Sequence, residues 1–243
     1  MSRESCEVAS GATRIISRSV RSTLVLAALA CAGEGEAPPR AEQATAGTDE
    51  RASVVFLGTS LTAGLGLDPS EAFPALIQRR IDDAGLPFTV VNAGVSGETS
   101  AGARQRIDWL LQRPVDVLVV ETGANDGLRG IDPSALRENL DAILDRAEAK
   151  NPGTALVVVG MEAPPNLGTR YTAAFRQVFR EAAEEHEATF IPFLLDGVAG
   201  VAQLNQGDGI HPTAEGHRVM ADIVWRALEP VLRERAARAG AVG

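Results

Sequence analysis

The stretch Gly58-Thr59-Ser60-Leu61 closes a run of strand-forming residues with a glycine and a small hydroxyl. A serine so placed is either a turn or helix cap or a nucleophile. A nucleophilic serine needs a base within hydrogen-bond reach, a partner that orients the base, and donors for the oxyanion. Of the three histidines, His211 falls in a loop, whereas His186 sits at a polar helix end in EEHEA and His217 lies inside a helical pattern. The latter two read as solvated or packing residues. Asp208 precedes His211 by three residues, and Gly207, Gly209 and Pro212 make a turn tight enough for the carboxylate to reach the imidazole. Such a pair fixes the ring tautomer and stabilises the imidazolium that forms. For the oxyanion, Asn125 offers an amide and Gly97 a backbone N–H that no side chain obstructs. Each residue also has a purely structural reading. Ser60 could cap, Gly97 and Asn125 could shape turns, and Asp208 with His211 could cap the last helix, whose first turn would begin near Pro212.

These residues must be positioned by the elements between them. From Ala52 onward, β-branched runs alternate with longer segments of helical period, the pattern of βα units around a parallel sheet. The runs SVVFLG, FTVVNAG, DVLVVETG, ALVVVGM and TFIPF are nearly continuous rather than alternating, which predicts five buried strands. Between them, the segments starting at Pro69, Ser100, Pro133 and Thr169 carry apolar residues three and four apart, as crossover helices do. A last helix from Thr213 closes the chain and is expected to fray into its Arg/Ala tail. The fold class that follows is α/β, a three-layer α/β/α sandwich around a central five-stranded parallel sheet. Ligands bind such sheets outside the carboxyl ends of the strands. Ser60, Gly97 and Asn125 all follow strand ends.

Composition excludes several alternatives. A net charge of −9 with a pI of about 4.9 lacks the basic footprint of a nucleic-acid binder. The two cysteines, Cys6 and Cys31, lie in the first segment, so the rest of the chain has no thiol nucleophile and no cysteine metal ligand. With three histidines in all, a multi-histidine metal site is not expected. Arg14, Arg18 and Arg21 precede STLVLAALAC, an apolar run of signal-peptide length that is too short to span a bilayer. The expected organisation is a signal peptide over residues 1–31, a flexible linker over 32–51, rich in small and polar residues, and a single domain over 52–243. The product would be exported: periplasmic, secreted or lipid-anchored. Cys31 after AALA resembles a lipoprotein processing site, which would tether the protein to a membrane. An ordinary signal-peptide cut between Ala30 and Gly33 is the alternative.

GTSL followed by TAG, NAGVSGETS, GAND and DGIHP occur in the order and approximate spacing of the four sequence blocks of the SGNH or GDSL hydrolases. The resemblance spans the domain from about Ala52 to the final helix and is closest to the bacterial subgroup of thioesterase I, lysophospholipase L1 and arylesterase. It implies Ser60 as nucleophile, His211 as general base and acid, and Asp208 as its orienting carboxylate. The implied oxyanion donors are Gly97, Asn125 and the Ser60 amide. In the same subgroup, the segments holding Leu128, Pro164, Pro165 and Leu167 flank the acyl pocket. The implied activity is hydrolysis of small-molecule or lipid acyl esters or thioesters, without a cofactor. Carbohydrate acetylesters are a rival substrate class, and a non-catalytic flavodoxin-like binding protein a rival of another kind. Two positions depart from the family pattern. Thr59 stands where the name-giving motif has Asp, and Ala124 where close relatives often have a second glycine.

Overall fold

The computed structural model describes residues 51–240. The expected signal segment, Cys31 and the linker as far as residue 50 lie outside the described residues. Five parallel strands form one sheet in the order β2-β1-β3-β4-β5. They are β1 (Ala52–Gly58), β2 (Phe88–Gly94), β3 (Val117–Glu121), β4 (Ala155–Val159) and β5 (Thr189–Ile191). The helices are α1 (Ser60–Ala63), α2 (Phe73–Asp83), α3 (Ser100–Leu110), α4 (Ala124–Arg129), α5 (Pro133–Lys150), α6 (Thr169–Glu185) and α7 (Ala214–Gly240).

Handedness distributes the helices. The chain steps from β1 outward to β2 through α2, then reverses to reach β3, β4 and β5 through α3, α5 and α6. Right-handed crossovers therefore put α2 on one face and the other three on the opposite face. Packing agrees, with α3 on α5, α5 on α6, and α2 against α7. In α2 the buried residues Phe73, Ile77 and Ile81 recur every four positions, and in α6 Phe175, Val178, Phe179 and Ala182 make the inward stripe. Fully burying one such large side chain contributes roughly 1.5 to 3 kcal/mol.

Three expectations about the elements change. The run at β2 is not buried: only Phe88 is, and the rest is half-buried or exposed, with Val91 43 % exposed. It is an edge strand with a neighbour on one side only and it carries Thr89 and Asn92; β5, the other edge, buries only Ile191 fully. The segment from Pro69 divides into a short 3₁₀ turn at Pro69–Glu71, boxed by Asp68 and Glu71, and α2 proper. Lastly, α7 does not fray at its Arg/Ala end but runs on to Gly240, with Arg233 paired to Glu229 and Arg238 to Glu234 one turn back along the helix.

The reversal in strand order falls at β1 and β3, where the connections leave the sheet on opposite sides. A crevice opens at their carboxyl ends. The strand-end loops that face one another there are those after Gly58, Gly94, Glu121, Val159 and Ile191.

Candidate active site

The turn after β1 is shaped by close contact. A Cβ on Gly58 would lie 1.9 Å from Thr62 Oγ1 and 2.8 Å from Glu121 Oε2, so only glycine lets the strand pass into α1 here. Thr59 caps α1, with Ser60 as its first residue, and Gly64 ends it in the left-handed region at φ +71°. The Ser60 hydroxyl is thus set at the N-terminus of a one-turn helix at the crevice.

On the opposite wall, Asp208 organises its own turn. One carboxylate oxygen, Oδ1, accepts from the backbone N–H groups of Ile210 (2.9 Å) and His211 (3.0 Å). The other, Oδ2, is 2.6 Å from His211 Nδ1, and His211 Nε2 is 3.0 Å from Ser60 Oγ. Gly209 takes φ +70° between them, a conformation that favours glycine. The histidine and the two backbone amides hold the Asp208 carboxyl far below the ordinary carboxylate range. A bridge between Asn205 and Pro212 and a bond from Gln206 N–H to the His211 carbonyl (2.7 Å) anchor the loop to the protein body. The helix-capping alternative for Asp208 and His211 does not hold, because the start of α7 is served by Thr213, whose carbonyl accepts from His217 N–H.

Gly97 and Asn125 line the same pocket as Ser60 and His211. Gly97 has φ +78°, with open space where a Cβ would be, so the backbone conformation rather than crowding calls for glycine. Its carbonyl accepts from Arg129 (3.0 Å), and Asn125 Nδ2 donates to the Glu98 carbonyl (3.0 Å). An amide NH2 has two hydrogens, so this bond fixes Asn125 and leaves one N–H for a ligand. The Glu98 carboxylate is gripped by Arg106, which also donates to the Ala93 carbonyl at the end of β2 (2.8 Å). That partly buried pair ties the Gly97 loop to the sheet.

The pocket has a volume of about 830 Å³. Leu128, Pro164 and Pro165 line it as expected, but Leu167 does not. Leu167 packs against the core from the far side of its 3₁₀ turn, toward Gly130 at the end of α4. A further wall, Phe193 to Gly200 with Ile210, carried no signal in the sequence because its residues belong to an irregular loop without period. His217 is buried, burial lowers it to about 4, and its Nδ1 accepts from Phe73 N–H (3.0 Å), so it is a neutral packing residue. Among the described residues, Asp145, Glu148 and His186 could offer three ligand atoms to an ion, and none of them lines the pocket.

Residues 56–219 match the GDSL-like Lipase/Acylhydrolase family. The chain belongs to that family. As a GDSL-like acylhydrolase it is a hydrolase acting on ester bonds, built on the fold of the SGNH esterases. It is 41 % identical over 181 residues to Esterase TesA of Pseudomonas aeruginosa, covering 74 % of this chain and 89 % of the relative. Thioesterase 1/protease 1/lysophospholipase L1 of Escherichia coli K12 is 35 % identical over 181 residues, covering 74 % and 85 %. The crystal structure of TesA superposes with a TM-score of 0.70 at 40 % identity, over 73 % of this chain and 98 % of that one.

Proposed function

We propose that this GDSL-like acylhydrolase cleaves carboxylic esters or thioesters with an apolar acyl group through an acyl-enzyme on Ser60. The single observation that carries the reading is the continuous path Asp208–His211–Ser60, with bonds of 2.6 and 3.0 Å, opening into an apolar pocket. His211 Nε2 takes the hydroxyl proton as Ser60 Oγ attacks the acyl carbon. The carbonyl oxygen becomes an oxyanion that the amides of Ser60 and Gly97 and the free N–H of Asn125 receive. One such donor contributes about 2.7 to 4 kcal/mol to the transition state. Collapse expels the alcohol or thiol, which takes the proton from His211. Water, deprotonated by His211, then attacks the acyl carbon and releases the acid and Ser60.

The substrate class follows from the walls. Leu65, Leu128, Pro164, Pro165, Phe193 and Ile210 offer apolar contact and few hydrogen-bond partners, which suits an alkyl or aryl acyl ester better than a sugar. Hydrolysis of p-nitrophenyl esters of increasing acyl length, palmitoyl-CoA and acetylated xylan should show kcat/KM rising from acetyl to medium-chain esters. Each methylene accommodated is worth about 1 to 3 kcal/mol. Preference for acetylated xylan would assign the pocket to carbohydrate acetylesters, and absence of turnover on every ester would defeat the enzymatic reading of Ser60.

Export is supported by Arg14, Arg18 and Arg21 ahead of the apolar run that ends at Cys31. Mass spectrometry of the mature N-terminus is expected to find a start between Cys31 and Gly33, with a diacylglyceryl mass on Cys31 if the protein is membrane-tethered. A chain retaining Met1 would sink the proposal.

A further inference from the structure

Glu121 ends β3 directly beneath the nucleophile turn, and no part of it reaches solvent. The proposed hydrolysis gives it no role. Its Oε2 accepts from Thr59 N–H (2.8 Å) and from the Thr62 hydroxyl (2.8 Å), and the Thr59 hydroxyl lies 3.0 Å from both carboxylate oxygens. One carboxyl therefore collects donors from the residue immediately before Ser60 and from the residue two after it. None of the charged and titratable groups of the surrounding elements bonds Glu121. Arg106 of α3 pairs with Glu98 and reaches the turn only at the Gly58 carbonyl (3.3 Å), Asp126 of α4 accepts from Ser100, and His217 of α7 accepts from Phe73 N–H. Uncompensated by a cation, a buried carboxylate is costly, and a purely structural site would be served as well by an apolar side chain.

Thr59 supplies the second half of the argument. An aspartate at this position would set two carboxylates against each other about 3 Å apart, and one of them would have to hold a proton. Threonine removes the conflict by donating to the carboxylate instead. In this chain Thr59 is the donor and Glu121 the acceptor.

Resting on the reading of Ser60 as nucleophile, we propose that Glu121 is a positioning residue that acts through Thr59 and Thr62, clamping the turn so that the Ser60 hydroxyl stays in line with His211 Nε2 and the Ser60 amide faces the oxyanion. Three convergent donors match an ionised carboxylate, which only accepts; protonation turns one of those bonds around. Burial pushes the Glu121 carboxyl up to about 7, against which the bonds from Thr59 and Thr62 pull it down. The folded chain therefore holds a proton that the unfolded chain has already released above pH 4.5. Stability from this group is complete below that pH and is lost as pH rises through about 7.

Glu121→Gln keeps the shape, removes the charge and exchanges one acceptor for a donor. Thr59→Val keeps the shape and removes one donor, and Thr59→Ser retains it. With a short p-nitrophenyl ester, Glu121→Gln and Thr59→Val are each expected to lower kcat about tenfold or more with KM within about twofold, as displacement of a reacting group does. Thr59→Ser should stay near wild type. The fall of the wild-type Tm between pH 5.5 and 8.5 should flatten in Glu121→Gln. Wild-type kcat in either Glu121→Gln or Thr59→Val, or an unchanged pH dependence of Tm in Glu121→Gln, would overturn the proposal. If Glu121→Gln does not fold, Thr59→Val against Thr59→Ser decides the matter alone. Failure of a fluorophosphonate to label wild-type Ser60 is a separate outcome and strikes at the nucleophile itself.

Discussion

Ser60→Ala is expected to lower kcat on a p-nitrophenyl ester by about 10⁶-fold while leaving the fold intact, and His211→Ala should cost nearly as much. Ser60 lies at the pocket wall and, through Oγ, bonds only His211, so its truncation removes the nucleophile without opening the core. The two residues act as one unit: without the base the hydroxyl is not activated, and without the hydroxyl the base has nothing to activate. The double variant should therefore be no slower than either single one, where independent contributions would multiply. A residual rate of about 10³ to 10⁴ over the uncatalysed reaction is expected from the oxyanion donors and substrate binding. Labelling by a fluorophosphonate should vanish in Ser60→Ala, with Tm within a few degrees of wild type. Retention of more than about a hundredth of the wild-type kcat in a purified Ser60→Ala protein would mean that another group attacks the ester.

The parts of this arrangement legible in the sequence are those carried by local pattern. A buried strand needs several consecutive apolar residues and a crossover helix needs a period near 3.6, so both leave continuous marks, and β1, β3, β4 and α5 lie where those marks are. Reading β2 as buried failed because burial depends on how many neighbours a strand has. Asn92 and Thr89 in FTVVNAG are a mild sign of exposure, but it is the order of the sheet that makes the strand an edge. Asp208 and His211 could be paired in advance because they lie three positions apart in a turn that Gly207 and Gly209 make tight. Glu121 could not be tied to Thr59, since they lie 62 positions apart and their contact exists only because β1 and β3 are neighbours. The same holds for Arg129 on the Gly97 carbonyl, 32 residues away. The resemblance puts Leu167 at the pocket with its segment, but Leu167 comes two residues after Pro165 in a 3₁₀ turn that advances about 120° per residue, which takes it off the face that Pro165 presents to the pocket.

Asp208→Asn is expected to be worse than Asp208→Ala, an inversion that follows from the backbone of the turn. The N–H groups of Ile210 and His211 both donate to Oδ1, so in Asp208→Asn the amide oxygen must stay at that position. The amide NH2 is then left where Oδ2 was, facing His211 Nδ1. It can only donate, so Nδ1 must accept and the ring proton moves to Nε2, which then points a hydrogen at Ser60 Oγ instead of a lone pair. A base in the wrong tautomer cannot take the serine proton, and losses of about 10⁴-fold in kcat are typical of that change. Asp208→Ala leaves Nδ1 facing a solvent-accessible space, since the Asp208 side chain is 46 % exposed, and water can accept from Nδ1–H there. The ring keeps its productive tautomer for part of the time, and the loss should be about tenfold smaller or more, dominated by weaker support of the imidazolium. Measuring kcat for both variants on the alkaline plateau of their pH profiles isolates the tautomer from the charge. If Asp208→Asn proves the faster of the two, the amide is flipped against both backbone donors, and Asp208 serves His211 through its charge alone.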